Sequence, residues 1–449
     1  MYYFLFKNLF NPFFEKAIKK RKMLEYLAFL NKSQWWSEGQ LRTFQWQELQ
    51  KLLKHAYNNV PYWQMVFKQL NLQPSDIKSY AEFRKLPMIT KEDIRANKEQ
   101  MIARNYIGKT WTKATGGSTG EPLELDYTPE SYDWRVAASK RGYAWAGCED
   151  GMRQAYIWGV AIGKQPLLKK WKEGLHHFIL RQKYFNCFEF DQARMEQTLK
   201  ELNRYKPQII VGYTNPLYNF AKFVNNNGGI KFAPNSVISA AEKLYQFQRE
   251  EIEKAFGCRA FNTYGSREFM LIASECQEHK GLHINVENLF VEVIKEDGTP
   301  AQAGEMGDVV ITDLHNYGMP FIRYQIGDMA IASEKNCPCG RGLPMLEDVV
   351  GRSLDMIKTP DGRFVPGEFF PHLMKEFSEV KQFQVIQEQL DRLVVKIVRS
   401  GSFQQSRLEF LQDEIRKVVG QSIRMDLQFV DEIPLTKTGK FRVTVSNIK

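Results

Sequence analysis

Between residues 110 and 330, short β-favouring runs alternate with helical runs, and that alternation leaves few architectures open. Ala155 to Val160, Gln208 to Gly212, Val237 to Ala240 and Ala260 to Tyr264 read as strands. A long helix is expected from Leu244 to Phe256. Asn285 to Val293 and Asp308 to Asp313 read as further strands. The pattern predicts a large α/β domain with mixed sheets. Lys164 to Lys183 is basic and amphipathic, with Leu168, Trp171, Leu175 and Ile179 at helical spacing. It reads as a packing helix, or as a lid or membrane-facing element, and its His176 and His177 have no obvious partner.

The flanking regions differ. Residues 1 to 100 read as mostly helical. Trp46, Leu49, Leu53 and Ala56 give Leu41 to Asn58 a helical face, and Pro61 ends it. Ser75 and Thr90 read as helix N-caps, and His55, near a helix end, suits packing or capping. Near Gly351 the character changes. Phe383 to Ile386 and Leu393 to Val398 read as strands, Gln405 to Val419 as a helix, and Met425 to Val430 as a strand. The chain therefore divides into a large N-terminal domain, 1–350, and a small α+β domain, 351–449. No internal repeat or low-complexity linker interrupts it.

Charge and cysteine usage bound the function. A net charge of +10 attracts anions, including nucleotides, acidic glycans, lipid headgroups and nucleic acid, without choosing among them. Six irregularly spaced cysteines argue against a disulfide framework and fit a reducing, cytoplasmic setting. No run of about 18 uncharged apolar residues is present, so no membrane span is expected. Met1 to Phe14 is aromatic-rich but broken by Lys7, Asn8, Asn11 and Pro12, and lacks a signal-peptide cleavage site. Lys16, Lys19, Lys20, Arg21 and Lys22 follow. An aromatic face beside a basic cluster suits peripheral contact with the inner face of a membrane, or a docked helix with a solvated basic face.

Five short stretches suggest chemistry. Thr115-Gly116-Gly117-Ser118-Thr119-Gly120 follows Lys113 and lies between two β-favouring runs, Trp111 to Thr115 and Leu123 to Tyr127. Glycines bring backbone N–H groups close to a ligand, and the hydroxyls complete a nest for phosphate oxygens. A Ser/Gly-rich surface turn has the same composition, and no Walker-type Gly-Lys-Ser/Thr ending is present. Tyr264-Gly265-Ser266-Arg267-Glu268 offers a carboxylate for Mg²⁺, or an ordinary surface Glu. Arg323-Tyr324-Gln325-Ile326-Gly327-Asp328 places an Asp after a tight glycine turn, suited to ribose hydroxyls or to turn-capping. Gly351-Arg352-Ser353-Leu354-Asp355 sits at the domain boundary, and Pro434-Leu435-Thr436-Lys437-Thr438-Gly439-Lys440 ends in a loop lysine able to reach an anion.

In this order the five stretches resemble the adenylate-forming superfamily of acyl-CoA synthetases, adenylation domains and luciferases. Within it the chain is most similar to the phenylacetate-CoA ligase and CapK-like capsule-biosynthesis branch. Further likenesses are His55-Ala56-Tyr57 through Val60-Pro61-Tyr62-Trp63, Glu275-Cys276 through Gly281-Leu282-His283, and Cys337-Pro338-Cys339-Gly340-Arg341. The resemblance spans nearly the whole chain and implies a small C-terminal domain that is mobile. It implies that Thr115 to Gly120 cradle the β- and γ-phosphates of ATP and that Glu268 binds Mg²⁺. Tyr264, Gly265 and the Ala240-Ala241-Glu242 turn would line the adenylate pocket. Asp328 would hold the ribose with help from Arg352, and Lys440 would bridge carboxylate and α-phosphate. The family's hinge position, two after the arginine, is normally acidic or lysine; here it is Leu354, with Asp355 next.

Cys276, His279, His283, Cys337 and Cys339 contain the donors for a tetrahedral zinc, although Cys-x-Cys is a less usual spacing than Cys-x-x-Cys and buried free thiols remain an alternative. Many members of the branch carry a structural zinc, so the resemblance implies one on Cys276, His283, Cys337 and Cys339, with His279 as substitute. Cys148, Cys187 and Cys258 read as ordinary buried residues.

The expected function is an AMP-forming ligase acting on a carboxylic acid. Its acceptor is coenzyme A, or an amine or hydroxyl of a sugar in surface-polysaccharide biosynthesis. The acyl pocket is expected at Tyr156 to Gly159 and Gly212 to Asn215. The alternative is a non-catalytic assembly protein of a polysaccharide system that kept the fold. Nucleic acid is not an expected partner, because only charge favours it.

Overall fold

The computed structural model describes residues 2–114, 123–159, 167–187, 190–352, 357–361, 364–365, 369–374, 377, 379–399, 404–434 and 442–448. Among the described residues, thirteen strands precede the C-terminal region. They are β1 (Trp111–Ala114), β2 (Glu124–Tyr127), β3 (Gln154–Trp158), β4 (Gln182–Asn186), β5 (Ile209–Tyr213), β6 (Ser236–Ala240) and β7 (Ala260–Ser266), then β8 (Met270–Glu275), β9 (Leu282–Ile284), β10 (Leu289–Ile294), β11 (Met306–Asp313), β12 (Tyr324–Ala332) and β13 (Met345–Arg352).

Eleven of these make one sheet, in the order β10-β11-β12-β13-β9-β8-β7-β6-β5-β3-β4. The run β4, β3, β5, β6, β7 is parallel. From β7 onward the pairing turns antiparallel, through β8 to β9 and on to β13. The reason lies in the connections. Helices Gln192–Tyr205, Thr214–Asn226 and Gln246–Phe256 carry the chain back across the parallel half, as parallel neighbours require. β7 and β8 are separated by three residues, which permits only an antiparallel return.

Each half has its own core. Leu202, Leu217, Phe220, Val224, Ile252 and Phe256 bury the helices against the parallel strands. The N-terminal helices Glu38–Asn59 and Pro61–Gln69 pack Leu49, Leu53, Trp63 and Phe67 against the antiparallel half. Pro61 opens the second helix as well as closing the first, because its missing N–H is unneeded at a first turn. Thr90 caps its helix with a reciprocal contact to Asp93. Ser75 does not cap. It sits inside the short turn Pro74–Asp76, and Ser79 caps the next helix instead.

Other expectations shift at their edges. The amphipathic helix is Leu167–Leu180, and Lys183 lies in the unforeseen strand β4. Asn285 to Asn288 form a turn before β10. Cys258 is half-buried, whereas Cys148 and Cys187 are buried.

The chain forms two compact units. One runs to Ile326 and resumes at Ala330–Val349; the second holds Gly327–Met329 and resumes at Val350. In the second, strands Val380–Gln389 and Arg392–Arg399 pair antiparallel. Arg424–Phe429 and Thr444–Ser446 add in parallel on either side. Helix Gln405–Val419 packs Leu411, Ile415 and Val419 onto this sheet, each fully buried and each contributing about 1.5–3 kcal/mol of transfer free energy.

Candidate active site and metal centre

The seam between the two halves of the sheet carries the first group of expected site residues. Glu268 lies in the turn from β7 to β8 and is buried. Tyr324 donates its hydroxyl to Glu268 Oε1 at 3.5 Å. The turn is tight for a stated reason. A Cβ on Gly265 would stand 2.2 Å from the Met270 carbonyl oxygen, so only glycine fits. Met270 itself holds a left-handed φ of +60°, unusual for a residue with a side chain. Tyr264, buried on β7, faces Ala273 across the ladder.

The carboxyl ends of the parallel strands bring the next group together, where open α/β sheets form their ligand crevice. β5 ends at Tyr213 and β6 at Ala240. Ala241 turns the chain with φ of +69°. The Glu242 carboxylate then accepts from the Asn215 amide at 2.9 Å, while Thr214 Oγ1 donates to the Glu242 carbonyl at 2.9 Å. The Ala240–Glu242 turn and the Gly212–Asn215 segment are thus one bonded unit. Trp158, at the end of β3, packs against Tyr213 with ring centroids 4.3 Å apart and planes tilted by 50°. Gly212 is required here, because a Cβ would meet Leu217 at 2.7 Å and the Ile157 carbonyl at 2.9 Å.

β1 and β2 pair antiparallel, so the glycine-rich stretch joins two strands as expected. Thr115, Gly116, Gly117, Ser118, Thr119 and Gly120 themselves lie outside the described residues. Lys113, just before them, sits over the rings of Tyr127 and Tyr132 at 5.1 and 4.9 Å. Burial lowers its pKa, and the Arg135 and Arg267 charges push the same way. Lys113, Trp111, Tyr132 and the run Lys19–Lys22 line a cleft of about 680 Å³ together with the acids Glu130 and Asp133, the latter paired with Arg21 at 2.6 Å, so the surface is aromatic and net basic.

Asp328 departs from expectation in its setting. It lies within β12, half-buried, and Gly327 before it takes φ of +85° inside the strand rather than in a tight turn. Arg323 of the same motif is a latch: it donates to Glu292 at 3.1 Å and to the carbonyls of Arg84 and Leu86 at 2.7 and 2.6 Å. Arg352 ends β13, with its side chain outside the described set. Leu354, Asp355 and Lys440 also lie outside the described residues.

The second site is a closed cluster. Cys276 follows β8, His283 is on β9, and Cys337 and Cys339 lie between β12 and β13. Their four ligand atoms all fall within 4.8 Å of one another. Cys276 Sγ and Cys337 Sγ are 3.6 Å apart, and Cys339 Sγ is 3.4 Å from His283 Nε2. Donors around a tetrahedral zinc stand about 3.5–3.8 Å apart, so the set fits that geometry. His283 Nδ1 faces the Leu343 carbonyl at 3.4 Å, which sets the tautomer that leaves Nε2 free to bind metal. With no cation, burial pushes the Cys276 thiol up to about 12 and the His283 imidazole down to about 4. Both directions mean neutral side chains, and a bound cation would reverse the thiol's preference.

His279 does not substitute for His283. Its Nδ1 faces Glu275 at 3.0 Å and Arg249 at 3.1 Å. Arg249 also donates to Glu275 at 2.7 Å, and the Asn262 amide donates to the same carboxylate at 2.7 Å. Burial raises the Glu275 pKa, but His279, Arg249 and Asn262 together hold it below the usual carboxylate value.

Two buried ion pairs had no signal in the sequence. Arg141 binds Glu287 through both its NH groups, at 2.6 and 2.9 Å, and Asn285 at 2.7 Å, all fully buried. Arg135 binds Asp313 at 2.6 Å. Their partners are 144 to 178 positions away, beyond the reach of any spacing rule.

Comparison with known proteins agrees with the fold. Residues 357–447 match the family model of the CapK C-terminal domain. The chain is 26% identical over 412 residues to protein CapK of Staphylococcus aureus, covering 90% of this chain and 88% of that one. It is 27% identical over 376 residues to phenylacetate-coenzyme A ligase of Escherichia coli strain K12, covering 80% and 83%. A solved 2-hydroxyisobutyryl-CoA ligase in its postadenylation state shares the fold with a TM-score of 0.68, at 18% identity over 89% of this chain and 88% of that one. Over most of its length the chain is thus similar to CapK and the phenylacetate-coenzyme A ligases, its residues 357–447 match the CapK C-terminal domain, and its fold is that of the solved acyl-CoA ligases.

Proposed function

We propose that the protein activates a carboxylic acid with MgATP to an acyl-adenylate and passes the acyl group to an acceptor. The observation that carries this reading is the seam itself. A buried Glu268 carboxylate adjoins a strand end bearing Tyr264, in a sheet whose parallel strands close on Tyr213 and Ala240–Glu242. Relatives across 80 to 90% of the chain include phenylacetate-coenzyme A ligases, which supports the same first half-reaction.

A carboxylate oxygen attacks the α-phosphorus, the bond to the bridging oxygen breaks, and pyrophosphate leaves. The acceptor nucleophile then attacks the acyl carbon, and AMP leaves. Glu268 would hold Mg²⁺, which would offset phosphate charge, and Thr115–Gly120 would take the β- and γ-phosphates. Tyr264, Gly265, Ala240, Ala241 and Glu242 enclose the adenylate. Asp328, with Arg352, takes the ribose hydroxyls. Lys440 places a point charge on the oxygens where negative charge builds in the transition state. Trp158, Tyr213 and Gly212 suit the acyl end, an aromatic wall at the mouth of the parallel strands.

Coenzyme A and a phosphate-linked sugar amine or hydroxyl are the two acceptor classes. Both carry phosphate, which suits the basic cleft beside Lys113. Similarity to the phenylacetate-coenzyme A ligases supports coenzyme A, while the sugar class rests on the resemblance read from the sequence alone. Cys276, His283, Cys337 and Cys339 hold one structural zinc. Protein would fill all four of its positions, so it has no open site for catalysis.

The test is pyrophosphate release with MgATP across aryl, short-chain, hydroxy and amino acids, with hydroxylamine trapping the adenylate. Acid-dependent release is expected, falling about 10²–10³-fold in Lys440→Ala while ATP binding persists. No release from any acid, together with no ATP binding, would overturn the ligase reading in favour of an assembly protein.

A further inference from the structure

Residues 2–18 form one helical run whose middle and end, Phe6–Phe10 and Phe13–Ile18, are wound with i→i+5 bonding. Phe4, Leu9, Phe13 and Ile18 recur every four to five residues, the spacing that this wider turn stacks on one face. That face is bare: Phe4 is 68% and Phe13 63% exposed. The opposite face is docked. The Phe6 ring lies so close to Gly151 that a Cβ there would meet it at 2.7 Å. The Tyr3 hydroxyl and the Lys7 ammonium both meet the Glu149 carboxylate. Glu15 is buried and pairs with Lys19 and Arg21, each at 3.5 Å. The stripe is therefore held outward by a fixed helix.

The helix Leu167–Leu180 continues it. Leu175, Phe178 and Ile179 share a face at i, i+3 and i+4, and Phe178 is 80% exposed. The Tyr2 hydroxyl donates to the Ile179 carbonyl, and Arg181 lies over the Tyr2 ring at 4.9 Å, so the two helices touch. Among the described residues, ten of the nineteen large exposed apolar side chains lie on these two helices. Scattered exposure needs no explanation; a cluster of this kind marks an interaction surface.

We propose that these two helices form a docking face for an anionic lipid bilayer. Charge selects this occupant. Lys16, Lys20 and Lys22 stand exposed beside the stripe, while Glu15, the only acid among residues 2–22, is turned inward. A second copy of the chain would set these lysines against themselves across a two-fold contact. Negative headgroups beside the lysines and acyl chains under the phenylalanines satisfy both parts of the face, the arrangement of an in-plane amphipathic helix. The same basic run lines the cleft that holds Lys113, so docking brings that cleft to the headgroup layer.

The full chain should sediment with equimolar phosphatidylglycerol/phosphatidylcholine vesicles and not with phosphatidylcholine alone. Raising salt to about 0.5 M should lower partitioning about tenfold, because screening shortens the attraction. The triple variant Phe4→Ser, Leu9→Ser, Phe13→Ser should lose at least about tenfold in partitioning. The pair Lys16→Glu, Lys20→Glu, which keeps the apolar stripe, should lose a comparable amount. Melting curves matching the native chain would separate lost docking from lost fold in either variant. No sedimentation with anionic vesicles, equal partitioning into neutral ones, or full retention in both variants would overturn the proposal. So would a native dimer, without vesicle binding, that the triple variant dissociates, since the face would then belong to a second copy.

Discussion

Glu275 and Cys276 are neighbours in the chain, and His279 and His283 are four residues apart, yet each pair divides between two buried clusters. One cluster joins Glu275, His279 and Arg249 through nitrogen–oxygen contacts of 2.7 and 3.0 Å and a nitrogen–nitrogen contact of 3.1 Å. The other joins Cys276, His283, Cys337 and Cys339 through sulfur–sulfur and sulfur–nitrogen contacts of 3.6 and 3.4 Å. In the first the Glu275 carboxylate is fully received, by an arginine, an imidazole and a backbone amide, although His279 Nε2 is buried without a hydrogen-bond partner. In the second, burial drives the Cys276 and Cys337 thiols and the His283 imidazole toward neutral forms, whereas hydrogen bonds from Arg341 and the neighbouring cysteines outweigh burial at Cys339 and lower its pKa. Weak thiol hydrogen bonds are poor repayment for four polar groups held so close. A soft dication would complete it, as proposed above. The same side-chain type thus faces a carboxylate on one side and thiols suited to a soft metal on the other.

Mutations can break that contrast. The largest effect is expected from Cys276→Ser, which removes a ligand. Zinc by mass spectrometry should fall from about one per chain to near none, and denaturant unfolding should show a loss on the order of 4 kcal/mol. A chelator should lower the melting temperature of the native chain and leave that of the mutant unchanged. Full zinc and full stability in Cys276→Ser would refute the metal reading.

Arg249→Ala comes next. It leaves Glu275 buried and short of its cation, a loss of about 3 kcal/mol in the same unfolding measurement, with zinc content unchanged. Zinc loss there would mean the two clusters act as one. Glu275→Gln keeps the shape and an acceptor for the Asn262 amide, so about 1–2 kcal/mol is expected. His279→Gln should cost about 1 kcal/mol or less and keep the zinc, the sharpest distinction between the two histidines. A metal-free His279→Gln protein would restore His279 as a ligand.

Much of this architecture was legible. The parallel strands showed as short apolar runs after turn residues, and the helix Gln405–Val419 matched its expected limits because its apolar periodicity is unbroken. β4 was missed because Gln182–Asn186 follows a basic amphipathic helix without a turn signal and reads as its continuation. Ser75 misled because Pro74 forms a tight turn in which a serine has no helix to cap. Asp328 looked like a turn residue because Gly327 precedes it, although a glycine at positive φ also fits inside a strand.

The order of short motifs, the donor types and the basic, aromatic N-terminus are properties of the sequence alone, because each rests on local spacing and side-chain chemistry. Which donors meet was decided only by the tertiary structure. β8 and β9 carry Cys276 and His283 toward the β12–β13 connection, while helix Gln246–Phe256 carries Arg249 to His279. Contacts between residues 26 to 61 positions apart depend on how strands pair and helices cross them. That information lies in the summed burial of the whole sheet, not in any stretch of it.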